Sequence, residues 1–173
     1  MPVIRPAQIE DARAMARVHV DTWRSAYAGI VPDEHLANLS DERSEARWIE
    51  YLTKHPEVKA FVAEEPSGQI VAITSCGPVQ EALHDFDGEI YVLYVLQPFQ
   101  GRGYGKLLVT QAARDLARRG FHSMVIWVLK ENPARQFYER LGGQLSAEKV
   151  VEIGGKQLVD VAYTWPDLAG FDG

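Results

Sequence analysis

The chain has 173 residues, 46% of them hydrophobic and 24% charged, with a formal net charge of −6. This is enough for one domain over 1–173 with a sizeable core, and the composition is ordinary for a soluble globular protein. The acidic balance and the lack of a basic run give no sign of a nucleic-acid partner. No apolar stretch reaches about 18 residues, so no membrane span is expected.

Val3-Ile4-Arg5 reads as a short strand ended by Pro6. From Ile9 to Ala28 apolar residues recur at helical spacing, with Ile9, Ala12, Ala16, Val20 and Trp23 near one face; Gly29 stops the run. Pro32 opens a short helical stretch to Leu39. Ser40 then supplies the N-cap of a helix to about Leu52, with Asp41 and Glu42 in its first turn. Lys59 to Glu64 and Gln69 to Cys76 read as strands, joined by the turn Pro66-Ser67-Gly68. Val79 to Asp87 is a polar loop. Glu89 to Leu96 is an apolar central strand, Lys106 to Arg119 an amphipathic helix and Met124 to Leu129 another strand. Asn132 to Leu141 is a short helix ended by Gly142-Gly143. Leu145 to Ile153 and Gln157 to Trp165 flank the hairpin signal Gly154-Gly155, and the tail 166–173 reads as loose. The five histidines are scattered, so no metal is expected. The single cysteine, Cys76, excludes an internal disulfide and sits in an apolar run, as a core residue would. The first residues lack the apolar core of a signal peptide, so a cytoplasmic enzyme is the expectation.

The most informative stretch is Gln100-Gly101-Arg102-Gly103-Tyr104-Gly105, between a predicted strand and a predicted helix. Alternating glycines there bare backbone N–H groups to an anion, and a helix N-terminus adds up to about 2 kcal/mol per charge. A phosphate or pyrophosphate is the expected ligand. The dinucleotide fingerprint G-x-G-x-x-G does not fit, because the third glycine comes one residue early. The Walker loop does not fit either, since position 100 is Gln and position 107 is Leu.

The pattern that fits is Q-x-x-G-x-G. Through LYVLQPFQGRGYGKLL (Leu93 to Leu108) and NPARQFYERLG (Asn132 to Gly142), the chain resembles the GNAT superfamily of acetyl-CoA-dependent N-acetyltransferases. The resemblance is specific over Glu89 to Gly143. It implies a GNAT-type α/β fold: a mixed, mostly antiparallel sheet of about seven strands with helices on both faces. It also implies acetyl-CoA as cosubstrate, an amine acceptor and, as is frequent in the family, a homodimer.

Acetyl transfer to an amine sets definite chemical demands. An amine of pKa near 10.4 is neutral in only about one molecule in a thousand near neutral pH, a cost of about 4 kcal/mol. A base must therefore take its proton, a hydrogen-bond donor must meet the thioester carbonyl, and a proton must reach the leaving thiolate. Glu89, opening an apolar strand, is the expected base, with a water chain as the alternative. Tyr138 is the expected proton donor. The resemblance places the coenzyme on Leu93, Tyr94 and Val95, whose main chain would hold the pantetheine arm and, at the Val95 N–H, the carbonyl. It places the phosphates on Gln100, Gly101, Arg102, Gly103, Tyr104, Gly105 and Lys106. The second block adds Asn132, Arg135, Phe137 and Tyr138. Asn132 also suits a helix N-cap, with Pro133 behind it.

The acceptor side is expected around Trp23, Tyr27, His84, Asp85, Tyr91 and Trp127, with Asp87 a further cation-recognising candidate. A small amine attacking directly is the leading expectation. A protein N-terminus or lysine as acceptor, or a coenzyme-A-binding module without catalysis, are the alternatives.

Overall fold

The computed structural model describes residues 1–171. In chain order the strands are β1 (Val3–Pro6), β2 (Lys59–Glu64), β3 (Ile70–Pro78), β4 (Gly88–Val95), β5 (Met124–Leu129), β6 (Gln144–Ile153) and β7 (Lys156–Trp165). The helices are α1 (Ala12–Ala26), α2 (Asp33–Ala37), α3 (Asp41–Lys54), α4 (Tyr104–Arg118) and α5 (Arg135–Arg140). The strands form one sheet in the order β1-β2-β3-β4-β5-β7-β6. Only β4 and β5 run parallel; every other pairing is antiparallel.

Side-chain patterning accounts for these positions. β3 is buried from Ile70 to Gly77, because both its faces are covered. β6 alternates exposed and half-buried residues, as an edge strand with one packed face should. Cys76 of β3 lies against the Ala112 carbonyl of α4, whereas Tyr94 of β4 accepts a hydrogen bond from Trp23 of α1. Following the β3–β4 register, these two side chains project from opposite faces, so α4 covers one face and α1, with α3 beside it, the other. Met15, Val18, Ile73, Ile90, Leu108, Leu116 and Met124 are fully buried between these layers. Ser40 caps α3 as expected, its Oγ accepting the Arg43 N–H at 3.2 Å.

Three local expectations need correction. The helix expected from Ile9 starts at Ala12, after a 3-10 turn over Ile9–Asp11. Arg5 clamps Asp11 at 2.7 Å and holds that turn outside the helix, leaving Ile9 exposed. The helix expected from Asn132 starts at Arg135, because Asn132-Pro133-Ala134 forms a turn of its own. The segment after Pro166 is not loose where it is described: Leu168 is buried and donates its N–H to the His122 carbonyl at 2.8 Å. Residues 172–173 of that expectation lie outside the described residues.

Candidate active site

The site begins where two parallel strands part. β4 and β5 pair only at Gly88↔Met124, Glu89↔Val125 and Ile90↔Ile126. β4 then runs to Val95 and β5 to Leu129 with no further pairing between them, so the sheet opens. On its other edge β4 carries a bulge: Cys76 pairs with Ile90 and Ser75 with Val92, leaving Tyr91 as the extra residue. A bulge bends a strand and increases its twist, which helps to carry β4 away from β5. The Leu96 N–H donates to the Val71 carbonyl at 3.0 Å. Strand alternation then turns the main-chain groups of Leu93 and Val95 toward the opened edge. The opening holds a cleft of about 660 Å³. Main-chain groups at such an edge require a partner, and an extended ligand with amides of its own can supply one.

The glycine loop closes one end of this cleft. Gly103 is the N-cap of α4 at φ 89, a left-handed conformation that costs other residues about 1–2 kcal/mol. Gly105 is in a tight place for a different reason, since a Cβ there would lie 3.0 Å from the Phe137 ring. Gln100 ties the loop to the strand by donating its Nε2–H to the Val95 carbonyl at 3.0 Å. Gln100, Gly101, Gly103, Tyr104, Gly105 and Lys106 all line the cleft, as do Leu93, Tyr94 and Val95. The N-terminus of the 15-residue α4 therefore points its free N–H groups at this end, the arrangement that favours a phosphate.

The third wall is the turn into α5. Asn132 accepts the Ala134 N–H at 2.9 Å through Oδ1, and its Nδ2 lies 3.4 Å from the Tyr27 hydroxyl. The side chain thus caps its own turn and reaches α1 at once. Phe137 and Tyr138 also line the cleft. Tyr138 is buried, which pushes its phenol pKa up and keeps it protonated near neutral pH. Its ring lies 5.3 Å from Phe137 and 5.9 Å from Tyr163, and its hydroxyl makes no hydrogen bond among the described residues.

Tyr27, Tyr91 and Trp127 also line the cleft, and the Tyr91 hydroxyl donates to the Pro78 carbonyl. Several other expected residues are elsewhere. Arg102 stacks its guanidinium 5.1 Å from the Phe99 ring, on an exposed part of the loop outside the cleft lining. Arg135 turns back to donate to the Tyr163 hydroxyl at 2.9 Å and to the Lys130 carbonyl at 3.1 Å. Trp23 is a brace rather than a wall: it donates to the Tyr94 hydroxyl at 3.0 Å and lies 4.7 Å from the Tyr27 ring. His84 and Asp85 are exposed on the β3–β4 loop and do not line the cleft. Asp87 anchors that loop to the start of β5. Burial would raise its pKa, but the N–H groups of His122 and Ser123 outweigh this and hold its carboxyl at about 2.

Glu89 is buried, and desolvation raises its pKa above the ordinary carboxylate range. Its Oε2 accepts the Gln80 N–H at 2.9 Å. It does not itself line the cleft, but stands one residue before Ile90, which does. A proton reaching Glu89 from the cleft must therefore pass through an intervening group. Thr22 and Ser25 of α1, also in the lining, have no counterpart among the expected residues. Their spacing shows only that they share one side of a helix. Among the described residues, no group of three or more His, Cys, Asp or Glu side chains is arranged to hold a metal ion, and no helix is long and apolar enough to cross a membrane.

Comparison with known proteins converges on one family. The model of the FR47-like protein family matches residues 78–151. An uncharacterized N-acetyltransferase, YuaI, of Bacillus subtilis (strain 168) is 36% identical over 169 residues, covering 98% of this chain and 95% of that protein. The crystal structure of the PaiA N-acetyltransferase of Thermoplasma acidophilum, in complex with coenzyme A, superposes with a TM-score of 0.72 at 16% identity, over 95% of this chain and 99% of that one. YncA of Salmonella typhimurium, a putative acetyltransferase solved with acetyl-CoA, gives a TM-score of 0.71 at 21% identity over 99% and 96% of the two chains. At these identities the two structures speak for the fold.

Proposed function

The chain belongs to the GNAT superfamily of acetyl-CoA-dependent N-acetyltransferases, and from that premise we propose that it acetylates a small primary amine by direct attack in a ternary complex. The observation that carries this reading is the opening between β4 and β5, with a glycine-bordered helix N-terminus at one end and Tyr138 in its wall. The cleft is walled by residues of α1, β4, β5, α4 and the α5 turn, which suits a small acceptor better than a protein surface.

Bound acetyl-CoA supplies a thioester carbonyl as the electrophile. The N–H groups at the start of α4, with Lys106, suit its phosphates. The opened edge at Leu93 and Val95 suits the amides of its pantetheine arm, and the Val95 N–H donates to the carbonyl oxygen as negative charge develops. Glu89 receives the acceptor's proton through water, since it is not itself part of the cleft lining. The Tyr138 O–H delivers a proton to the departing sulfur. Cys76 takes no part: burial pushes its thiol up to about 12, and its sulfur lies against α4. That geometry supports direct attack over an acyl-enzyme route.

Release of free thiol from acetyl-CoA, screened against polyamines, aminoglycosides, amino acids and short peptides, tests the reading. Thiol release that depends on a small amine is expected. Turnover with peptides alone would move the acceptor to proteins, and coenzyme binding without turnover of any amine would leave a non-catalytic module.

A further inference from the structure

A primary ammonium of the protein's own rests on the ring of Trp127, a residue of the cleft lining. Lys149 of the edge strand β6 pairs with Asp160 of β7. Its Nζ lies 4.2 Å from the centroid of the Trp127 ring and 2.9 Å from Glu81 Oε2. The residue of β7 abreast of Trp127 is Ala162, too short to block this reach across the sheet. Register places the surrounding carboxylates. Glu89 is paired with Val125, two residues from Trp127, and Asp160 is two residues from Ala162, so all project from one face. Lys149 and Glu81 are the charges felt by both Glu89 and Asp160. Lys149 pairs with Glu81, while neither Glu89 nor Asp160 has an ion-pair partner among the described residues. Asp160 is half-buried, and its carboxylate accepts no hydrogen bond among them. Negative charge there exceeds what one lysine neutralises.

In the wall of the same cleft one buried polar group is left unsatisfied. Thr22, in the wall, is only 6% exposed, and its hydroxyl oxygen has no partner among the described residues. Native structures rarely leave a buried polar group in that condition without a reason.

We propose that Trp127, Asp160 and Glu81 form a cation subsite beside the reacting centre, filled by Lys149 in the acceptor-free protein, and that the acceptor is a small amine carrying a second ammonium group. This rests on the reading of the cleft as an amine acetyltransferase site. An aromatic face and carboxylates favour the charged form of an amine. The nucleophile must be neutral, so the subsite suits the amine that does not react. Displacing Lys149 is feasible, because its ion pair is solvent-screened, with Glu81 68% exposed. β6 is also the sheet edge, so the side chain can withdraw without breaking a strand pairing on a far side. A carboxylate-bearing acceptor would meet repulsion from Asp160.

Calorimetric titration of the coenzyme-A-bound protein with α,ω-diamines of increasing length, the matching monoamines and the matching ω-amino acids tests the proposal. Diamines should bind about tenfold or more tighter than monoamines, the range of one charge-assisted contact. Asp160→Asn should abolish that preference, and Lys149→Met, which removes the resident competitor, should tighten diamine binding several-fold. Coenzyme A titration and thermal melting of each variant report that it is folded. Equal affinity for diamines and monoamines, a preference for ω-amino acids, or no effect of Asp160→Asn overturns the proposal. Absence of amine binding with coenzyme A still bound overturns it too and spares the coenzyme reading; failure to bind coenzyme A removes the reading on which both stand.

Discussion

Thr22→Val is a substitution whose sign runs against the usual trend. Thr22 lies on α1 beside Ser25 and Ala26 in the cleft wall, and its Oγ1 is buried with no hydrogen-bond partner among the described residues. Threonine in a helix commonly returns its hydroxyl to the carbonyl one turn back. No such bond to Val18 forms here; instead Ser25 donates its hydroxyl to the Thr22 carbonyl at 3.1 Å. A hydroxyl buried without a partner forfeits about 1–3 kcal/mol of hydration. Valine has nearly the same shape and a nearly equal helix propensity, and it strands no polar atom. Thr22→Val should therefore stabilise the ligand-free protein by about 1–2 kcal/mol. For a chain of this size, that is a rise in Tm of about 2–8 °C. Thr22→Ser keeps the stranded hydroxyl and deletes a buried methyl, so its Tm should fall. Differential scanning calorimetry of the three ligand-free proteins measures both shifts. An unchanged or lowered Tm for Thr22→Val would refute the reasoning, since it would mean that the hydroxyl is already satisfied. If the hydroxyl serves a ligand, the same valine variant should raise the acceptor KM while melting later, a combination that loss of packing cannot produce.

Three further outcomes follow from the cleft. Glu89 has a raised pKa because of burial. The acid limb of kcat/KM should thus lie above the ordinary glutamate value of about 4.3, with activity lost as pH falls through it. Glu89→Gln should remove that limb, and an unchanged profile would eliminate Glu89 as the base. Tyr138→Phe should lower kcat about tenfold or more, the scale of one general acid, while acetyl-CoA affinity holds; full activity would reject the assignment. Cys76, buried with its thiol at about 12, should resist iodoacetamide at neutral pH in the folded protein and react promptly once unfolded, as followed by mass spectrometry. Rapid labelling with loss of activity would reopen the acyl-enzyme route.

What could be read from the sequence is what local chemistry decides. β5 begins and ends where its apolar run does, β2 extends one charged residue beyond its apolar run at each end, and Ser40 caps α3 because a serine before two acidic residues leaves little else for the first turn to do. The loop from Gln100 to Gly105 was legible because glycine spacing is a statement about φ and close approach, which no distant residue alters: Gly103 is left-handed and Gly105 lies against Phe137. Helix starts were less legible. Ile9 and Asn132 have helical neighbours, but Arg5 of β1 fixes the first turn and Asn132 spends its cap on a separate turn.

Only the tertiary structure decided where side chains go and where strands stop pairing. Arg102 and Arg135 have the charge a phosphate site wants, yet Phe99 holds one outside the cleft and Tyr163 holds the other away from it. His84 and Asp85 belong to the right loop, but that loop approaches the acceptor side through Glu81 and Lys149. The cleft exists because β4 and β5 pair for three residues and then separate, and pairing between strands so far apart in the chain has no signature in either one. Asp160, Lys149 and Trp127 meet by the register of three strands, and Thr22 becomes notable only once its hydroxyl is seen to lack a partner. The glycine-loop end of the cleft was therefore written in a contiguous motif, because backbone conformation is a local property. The residues proposed for the acceptor are single positions from distant elements, and burial, register and side-chain direction exist only after the chain has folded.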